Sequence, residues 1–211
     1  MSVRNSSFYV AFGLIVSVCG LARLSVRAQN EASDAQADSA QYARQLSSSD
    51  PLVRQAAAEA LARLAAVEQR KLVQGYALEE KNKRVRLALH WALYRMGKSE
   101  ALFQIVRDLD SSRHDQAADY LTHLESPQPL YAFLKQEKMP PKTIVRLLEV
   151  LAQTGDGETL AQIKSFTESF DPTISEAAQV ASNRIQQRLA QPKPPVQTRP
   201  RIVGKGEQTS P

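Results

Sequence analysis

Three kinds of residue are scarce in this sequence, and each scarcity removes a class of answer. The one cysteine, Cys19, lies inside an N-terminal apolar run. A chain cut after that run carries no thiol, hence no disulfide framework, thiolate metal site or cysteine nucleophile. Histidine is nearly as rare. His90, His114 and His123 show no His-Glu or His-x-x-x-His spacing, and on one helix His114 and His123 would face opposite sides. Glycine, at 8 residues, and aromatics, at 6%, are too few for a β-protein with its turns and packed strands. No glycine-rich phosphate loop occurs, because Gly155-Asp156-Gly157 reads as a turn between helices. Ser47-Ser48-Ser49 has no matching histidine and acid. These absences point away from an enzyme, and the residues imply no metal and no cofactor.

What is abundant is Ala, Leu, Gln, Arg and Glu, residues that lose little side-chain freedom in a helix. The net charge of +5 belongs to the chain ends. Residues 1–28 hold Arg4, Arg23 and Arg27 without an acid, and the tail from Ala190 carries a further +3. Taking both from the total leaves residues 29–189 at −1. That near-neutral middle has no field to steer a polyanion, so no nucleic acid is expected as a partner.

Phe8–Ala22 is a fifteen-residue uncharged run behind Arg4, and Val26-Arg27-Ala28 places small or apolar residues at −3 and −1 from Gln29. This is the order of a secretory signal peptide. The run falls short of the roughly 20 residues that span a bilayer. Residues 1–28 are therefore read as a signal peptide, with a membrane anchor as the rival reading because Arg23 and Arg27 follow the run. Val18 ahead of Cys19 departs from the bacterial lipoprotein signal. The protein is expected to be exported, either periplasmic or secreted, or held at a membrane by this segment. Residues 29–37 read as a linker.

From about Asp38 the chain repeats itself. Asp50-Pro51-Leu52-Val53-Arg54-Gln55-Ala56-Ala57-Ala58-Glu59-Ala60-Leu61-Ala62-Arg63-Leu64 returns thirty-two residues later as Asn82–Met96. Weaker copies start near Ser111, at Pro140 and at Asp171. In the first copy Val53, Ala56, Ala57, Ala60, Leu61 and Leu64 form one apolar stripe at helical spacing, with alanines small enough for a close neighbour. Asp50 and Asp171 suit the N-cap, with Pro51 and Pro172 at the first helical position. Gly97 and Gly155 stand where helices should stop. Shorter helices are predicted between these copies, at about Asp38–Leu46, Val67–Glu79, Ser99–Leu109, Gln128–Glu137 and Gly157–Ser169. Five helix pairs of about thirty residues imply an all-α solenoid over residues 38–190. The polar segment Asn30–Leu46 and the extension Gln186–Leu189 serve as its end caps.

The start Asp-Pro-x-Val-Arg-x-x-Ala-Ala-x-x-Leu resembles the HEAT-repeat family, in particular its short bacterial form related to phycobilin-lyase-type repeats. The resemblance implies a right-handed α-solenoid that binds another protein. It also implies a polar ladder between repeats, whose arginine is matched by Arg54 and Arg86 and whose aspartate is matched by Asp50 and Asp171. Asn82 and Ser175 interrupt it, so a structural role is expected only in the first two units. Two other activities occur among proteins with such repeats. Iron-holding hydroxylases use His-Glu pairs that are absent here, and a bilin lyase is suggested by repeat similarity alone. A DNA-gripping module is the alternative that the neutral middle and the export signal oppose.

One cluster in the second copy departs from the first. His90, Trp91, Tyr94 and Arg95 fall where the first copy has Ala58, Glu59, Ala62 and Arg63. These positions lie off the apolar stripe, on the side that lines the concave surface of such arrays. Trp91 and Tyr94 share a face, and aromatic–arginine clusters are enriched at binding hot spots. The four residues are the candidate protein-binding site. The competing reading is that the rings fold over an adjacent repeat and fill a gap left by small alanines. The tail at 191–211 is basic and proline-rich, cannot bury enough to fold alone, and suits weak contact with an anionic surface.

Overall fold

The computed structural model describes residues 36–136 and 138–191. The apolar run, the proposed cleavage site and nearly all of the tail lie outside these residues. Every regular element described is a helix. Residues 36–45 form α1. They are followed by α2 (Pro51–Leu64), α3 (Arg70–Glu79), α4 (Lys83–Arg95), α5 (Ala101–Asp108) and α6 (His114–Thr122). Then come α7 (Gln128–Leu134), α8 (Pro141–Thr154), α9 (Gly157–Ile163) and α10 (Pro172–Ala190). Short 3-10 turns at Val67–Gln69 and Lys164–Glu168 adjoin α3 and α9. Among the described residues no helix is long and apolar enough to cross a membrane.

Consecutive helices pair as the thirty-residue spacing predicts, and the second members α2, α4, α6, α8 and α10 run in sequence through the array. The longest side-by-side packing is α2 on α4 and α8 on α10, whereas α4 and α6 touch only briefly. One continuous core links the pairs, with Leu61, Leu89, Ile105, Leu121, Leu148 and Ile185 at most 1% exposed. This is an α-solenoid.

The predicted caps form. The Asp50 carboxylate accepts the Leu52 N–H at 2.8 Å and that of Asp171 accepts the Thr173 N–H at 2.9 Å. Asn82, which the sequence reading did not assign as a cap, also accepts the Arg84 N–H at 3.0 Å. Gly97, at φ +89°, ends α4 in the left-handed conformation, with Lys98 N–H bonded to the Leu93 carbonyl. Gly155 also ends its helix, for a different reason. It is extended, and a Cβ there would lie 2.5 Å from the Leu151 carbonyl oxygen and 2.8 Å from Ile185 Cδ1. Close packing, not handedness, demands glycine at 155. Arg188 of α10 then donates to the carbonyls of Ala152, Gln153 and Gly155, satisfying the open end of α8.

Two expectations need correction. The apolar stripe of α2 is rotated from the one predicted: Ala58 and Ala62 are fully buried, while Val53 and Leu64 are 37% and 39% exposed and Ala56 is exposed. As the first of the second helices, α2 has a successor, α4, but no equivalent helix before it, so the side toward α4 is sealed and part of the stripe set by the repeat pattern is left open. The Asp–Arg ladder is also absent. Asp50 and Asp171 spend their oxygens on their own helix starts. Arg54 instead forms a two-pronged pair with Glu80, at 2.8 and 3.0 Å, and donates to the Ser48 and Ser49 carbonyls. Arg86 is exposed and has no such partner among the described residues.

Candidate functional site

The four predicted residues sit on one face and a half of α4, and the structure divides them. Trp91, Tyr94 and Arg95 come together. Trp91 stacks on Tyr94 with ring centres 5.7 Å apart and on Tyr120 of α6 at 5.5 Å, nearly parallel in both cases. The Arg95 guanidinium lies 5.8 Å from the centre of the Trp91 ring. Such stacking adds about 0.5–1.5 kcal/mol per aromatic pair beyond the area buried. His90 belongs elsewhere. It is half-buried, and its charged neighbours are Arg86 and Asp108 at the end of α5. Burial, helped by Arg86, holds its pKa below the usual histidine value.

Trp91 is only 6% exposed. It fills the place where α4 and α6 hardly meet, so the rings do what side chains of neighbouring helices do elsewhere in the stack. Packing therefore accounts for Trp91, and the surface available to a partner is formed by the groups around it.

Those groups form a polar chain across three repeats. Gln116 Nε2 donates to the Tyr120 hydroxyl at 2.8 Å, and that hydroxyl donates to Glu59 Oε1 of α2 at 2.6 Å. Glu59 also accepts from Gln55 at 2.9 Å, and Gln116 reaches the Arg84 carbonyl at 3.1 Å. Burial and the Glu59 carboxylate both push the Tyr120 hydroxyl far above its ordinary pKa, so it remains a donor at any physiological pH. Burial also raises Tyr94, which is less enclosed.

On the outside of this chain lie two open clefts. One, of about 700 Å³, runs between the end of α4 and the α6–α7 connection, with Tyr94, Arg95, Ser99, Glu125 and Gln128 on its walls. The other, of about 330 Å³, is bounded by Glu59, Arg63, Trp91, Asp119, Tyr120 and His123. Arg95 lines both. Its ion partner, Glu125 at 3.2 Å, has a side chain 85% exposed, while that of Arg95 is 23% exposed. The ridge is thus a cation held in place by an aromatic ring and neutralised by an acid that water already reaches. A carboxylate from outside can replace Glu125 there without desolvating a new site.

Reading the sequence missed Tyr120, Glu59, Gln116 and Glu125. Tyr120 follows Trp91 by nearly one repeat length, a signal masked by the degenerate third copy. Glu59 entered the comparison of copies only as the counterpart of Trp91. His123 and His114 make local contacts: His123 Nδ1 is 2.8 Å from the Asp119 carbonyl, and His114 Nδ1 is 3.1 Å from that of Ser111.

No curated protein matches this chain. A family model described as HEAT repeats matches residues 41–121, from within α1 to the end of α6, where the sequence copies are clearest and the ring stack sits. Residues 41–121, somewhat under half of the chain, are thus similar to HEAT repeats.

Proposed function

We propose that this chain is an exported scaffold that binds another protein across the face bearing Arg95. HEAT repeats typically serve as protein-interaction scaffolds. The observation that carries the reading to this face is Arg95, shared by two open clefts, ordered over Trp91, and paired to an exposed glutamate. Arginine beside tyrosine on a rigid helix is the composition of an interface anchor. Export is supported by the charged start, the Phe8–Ala22 run and Val26-Arg27-Ala28.

The test uses protein recovered from fractionated native cells. Its intact mass should begin at Gln29, and a protein should co-purify. Arg95→Glu should release that protein, with at least a tenfold loss of affinity, while leaving helix content and thermal midpoint near wild type. A co-purifying protein that Arg95→Glu and Tyr94→Ala both leave bound would place the interface elsewhere. A full-length cytosolic species would remove the export half of the reading.

A further inference from the structure

A third cleft lies away from Arg95 and has a different make-up. Starting beside the end of α4, α5 runs eight residues, about 12 Å, toward the opposite edge of the array, where α6 and α8 begin. Between the end of α5, the α7–α8 connection and the first turn of α8 is a recess of about 400 Å³, less open than the two clefts that share Arg95. Its floor is apolar. Val106 and Phe133 are 2% and 8% exposed, and Met139 packs against the core. Phe103 lines the same recess, its ring centre 6.4 Å from that of Phe133, and is 47% exposed. The helix explains why a ring is left there: Ala101, Leu102, Ile105 and Val106 form the buried face of α5, and Phe103 falls outside it. A single exposed apolar side chain is ordinary on a protein surface. An exposed ring that lines a recess floored by a second ring is a place for a third.

The rim of the recess is charged. Arg113 is committed to Asp108, to which it donates through two nitrogens at 2.6 and 3.2 Å. That leaves Arg107 and Lys138, both exposed and without an ion partner among the described residues, against one acid, Asp110. Among the described residues the surplus is a single positive charge. We infer that this recess binds an aromatic group that carries one carboxylate, its ring against Phe103 and Phe133 and its acid at Arg107 and Lys138. A third ring can pack offset or edge-on against the two phenylalanines. The volume falls within the range of about 300–1,000 Å³ typical of ligand pockets, and an apolar floor with few polar groups at the rim is their usual composition. One carboxylate matches a surplus of one. A phosphate dianion would face Asp108 and Asp110 without enough positive charge to offset them. The same chemistry is offered by a free aromatic acid and by the end of a peptide whose last residue is phenylalanine. No residue lines both this recess and the Arg95 clefts, so the inference does not rest on the Arg95 reading.

Ligand-observed NMR titration of the full chain with small probes tests this. The acid 3-phenylpropionate should bind in the millimolar range expected of so small a ligand, and its neutral amide, 3-phenylpropanamide, at least fivefold more weakly. Arg107→Glu changes an exposed side chain that the core does not need, and it should bring the acid down to the level of the amide. Phe103→Ala should weaken acid and amide alike. Arg95→Glu should change neither. The peptide acetyl-Gly-Ser-Gly-Phe with a free C-terminus separates the two sources. Binding tighter than that of 3-phenylpropionate assigns the recess to a protein C-terminus, and weaker binding assigns it to a free acid. The inference is overturned by an acid that does not bind, by equal binding of acid and amide, or by an acid insensitive to Arg107→Glu. Tighter binding of adenosine monophosphate than of the acid overturns it as well, in favour of a phosphate ligand.

Discussion

The helices α2 and α4 begin with the same residue pattern thirty-two positions apart, yet they bury different side chains. In α2 the valine and the last leucine of the pattern are open, and two alanines on another side are sealed. In α4 the corresponding valine and methionine are sealed, and the alanines have become His90 and Tyr94. The pattern specifies a helix, its cap and its contact with its partner helix. Its place in the stack decides the rest. With a repeat on each side α4 is an interior element, while α2 is an end element, and the same amphipathic code cannot express that difference.

The sharpest way to break this comparison is Trp91→Ala. If Trp91 is the filler between α4 and α6, its loss should cost about 3–5 kcal/mol in urea unfolding, as for other buried aromatics. Truncating its counterpart in α2, Glu59→Ala, should cost only about 1 kcal/mol, through the hydrogen bond from Tyr120. Equal small losses would mean that the rings are ornaments on a stack held elsewhere.

The second contrast is between the two arginines of the pattern. Arg54 is enclosed with Glu80, their side chains 17% and 8% exposed, while Arg86 is open. Arg54→Ala should destabilise by about 2 kcal/mol, as expected for charge-assisted bonds, and Arg86→Ala by less than about 0.5 kcal/mol. The pH dependence follows from Glu80. Its hydrogen bonds from Arg54 hold its pKa below the usual glutamate value, against an opposing effect of burial. A carboxylate with a depressed folded pKa binds its proton more readily when unfolded, so it stabilises the fold above the unfolded value of about 4.3 and loses that contribution as pH falls through the folded one. Stability of the wild type should therefore drop between pH 5 and 3 more steeply than that of Arg54→Ala. Parallel pH curves for the two proteins would show that the pair does not couple to folding.

Much of this architecture was legible because helix starts and stops are local events. Asp50 and Asp171 cap the helices they precede, and the shorter first helices fall within a few residues of the predicted spans. What escaped is long-range. Glu80 gives no sign in sequence that Arg54 will be its partner, twenty-six residues away. The hydrogen bond from Tyr120 to Glu59 spans sixty-one. The candidate site was half legible for the same reason. Trp91, Tyr94 and Arg95 share a helical face by spacing alone, whereas the burial of Trp91 and the separate surroundings of His90 depend on where α5 and α6 settle.

The smallest contrast is one residue at the end of each helix. Position 97 is glycine at φ +89°, and the matching position 65 is alanine, also left-handed at φ +47°. Both make the same closing bonds, from Lys98 to Leu93 and from Ala66 to Leu61. The turn geometry is thus imposed by the repeat, and only one copy has the residue that adopts it without strain. An L-residue in this conformation costs about 1–2 kcal/mol, partly offset because glycine has more freedom to lose on folding. Ala65→Gly should therefore stabilise the protein by about 1 kcal/mol, and Gly97→Ala, with open space around a new Cβ, should destabilise it by a similar amount. Differential scanning of the two variants together reads both signs at once. If Ala65→Gly lowers the midpoint, the left-handed turn of the first repeat is not the strained copy of the second, and the two helix ends are not equivalent after all.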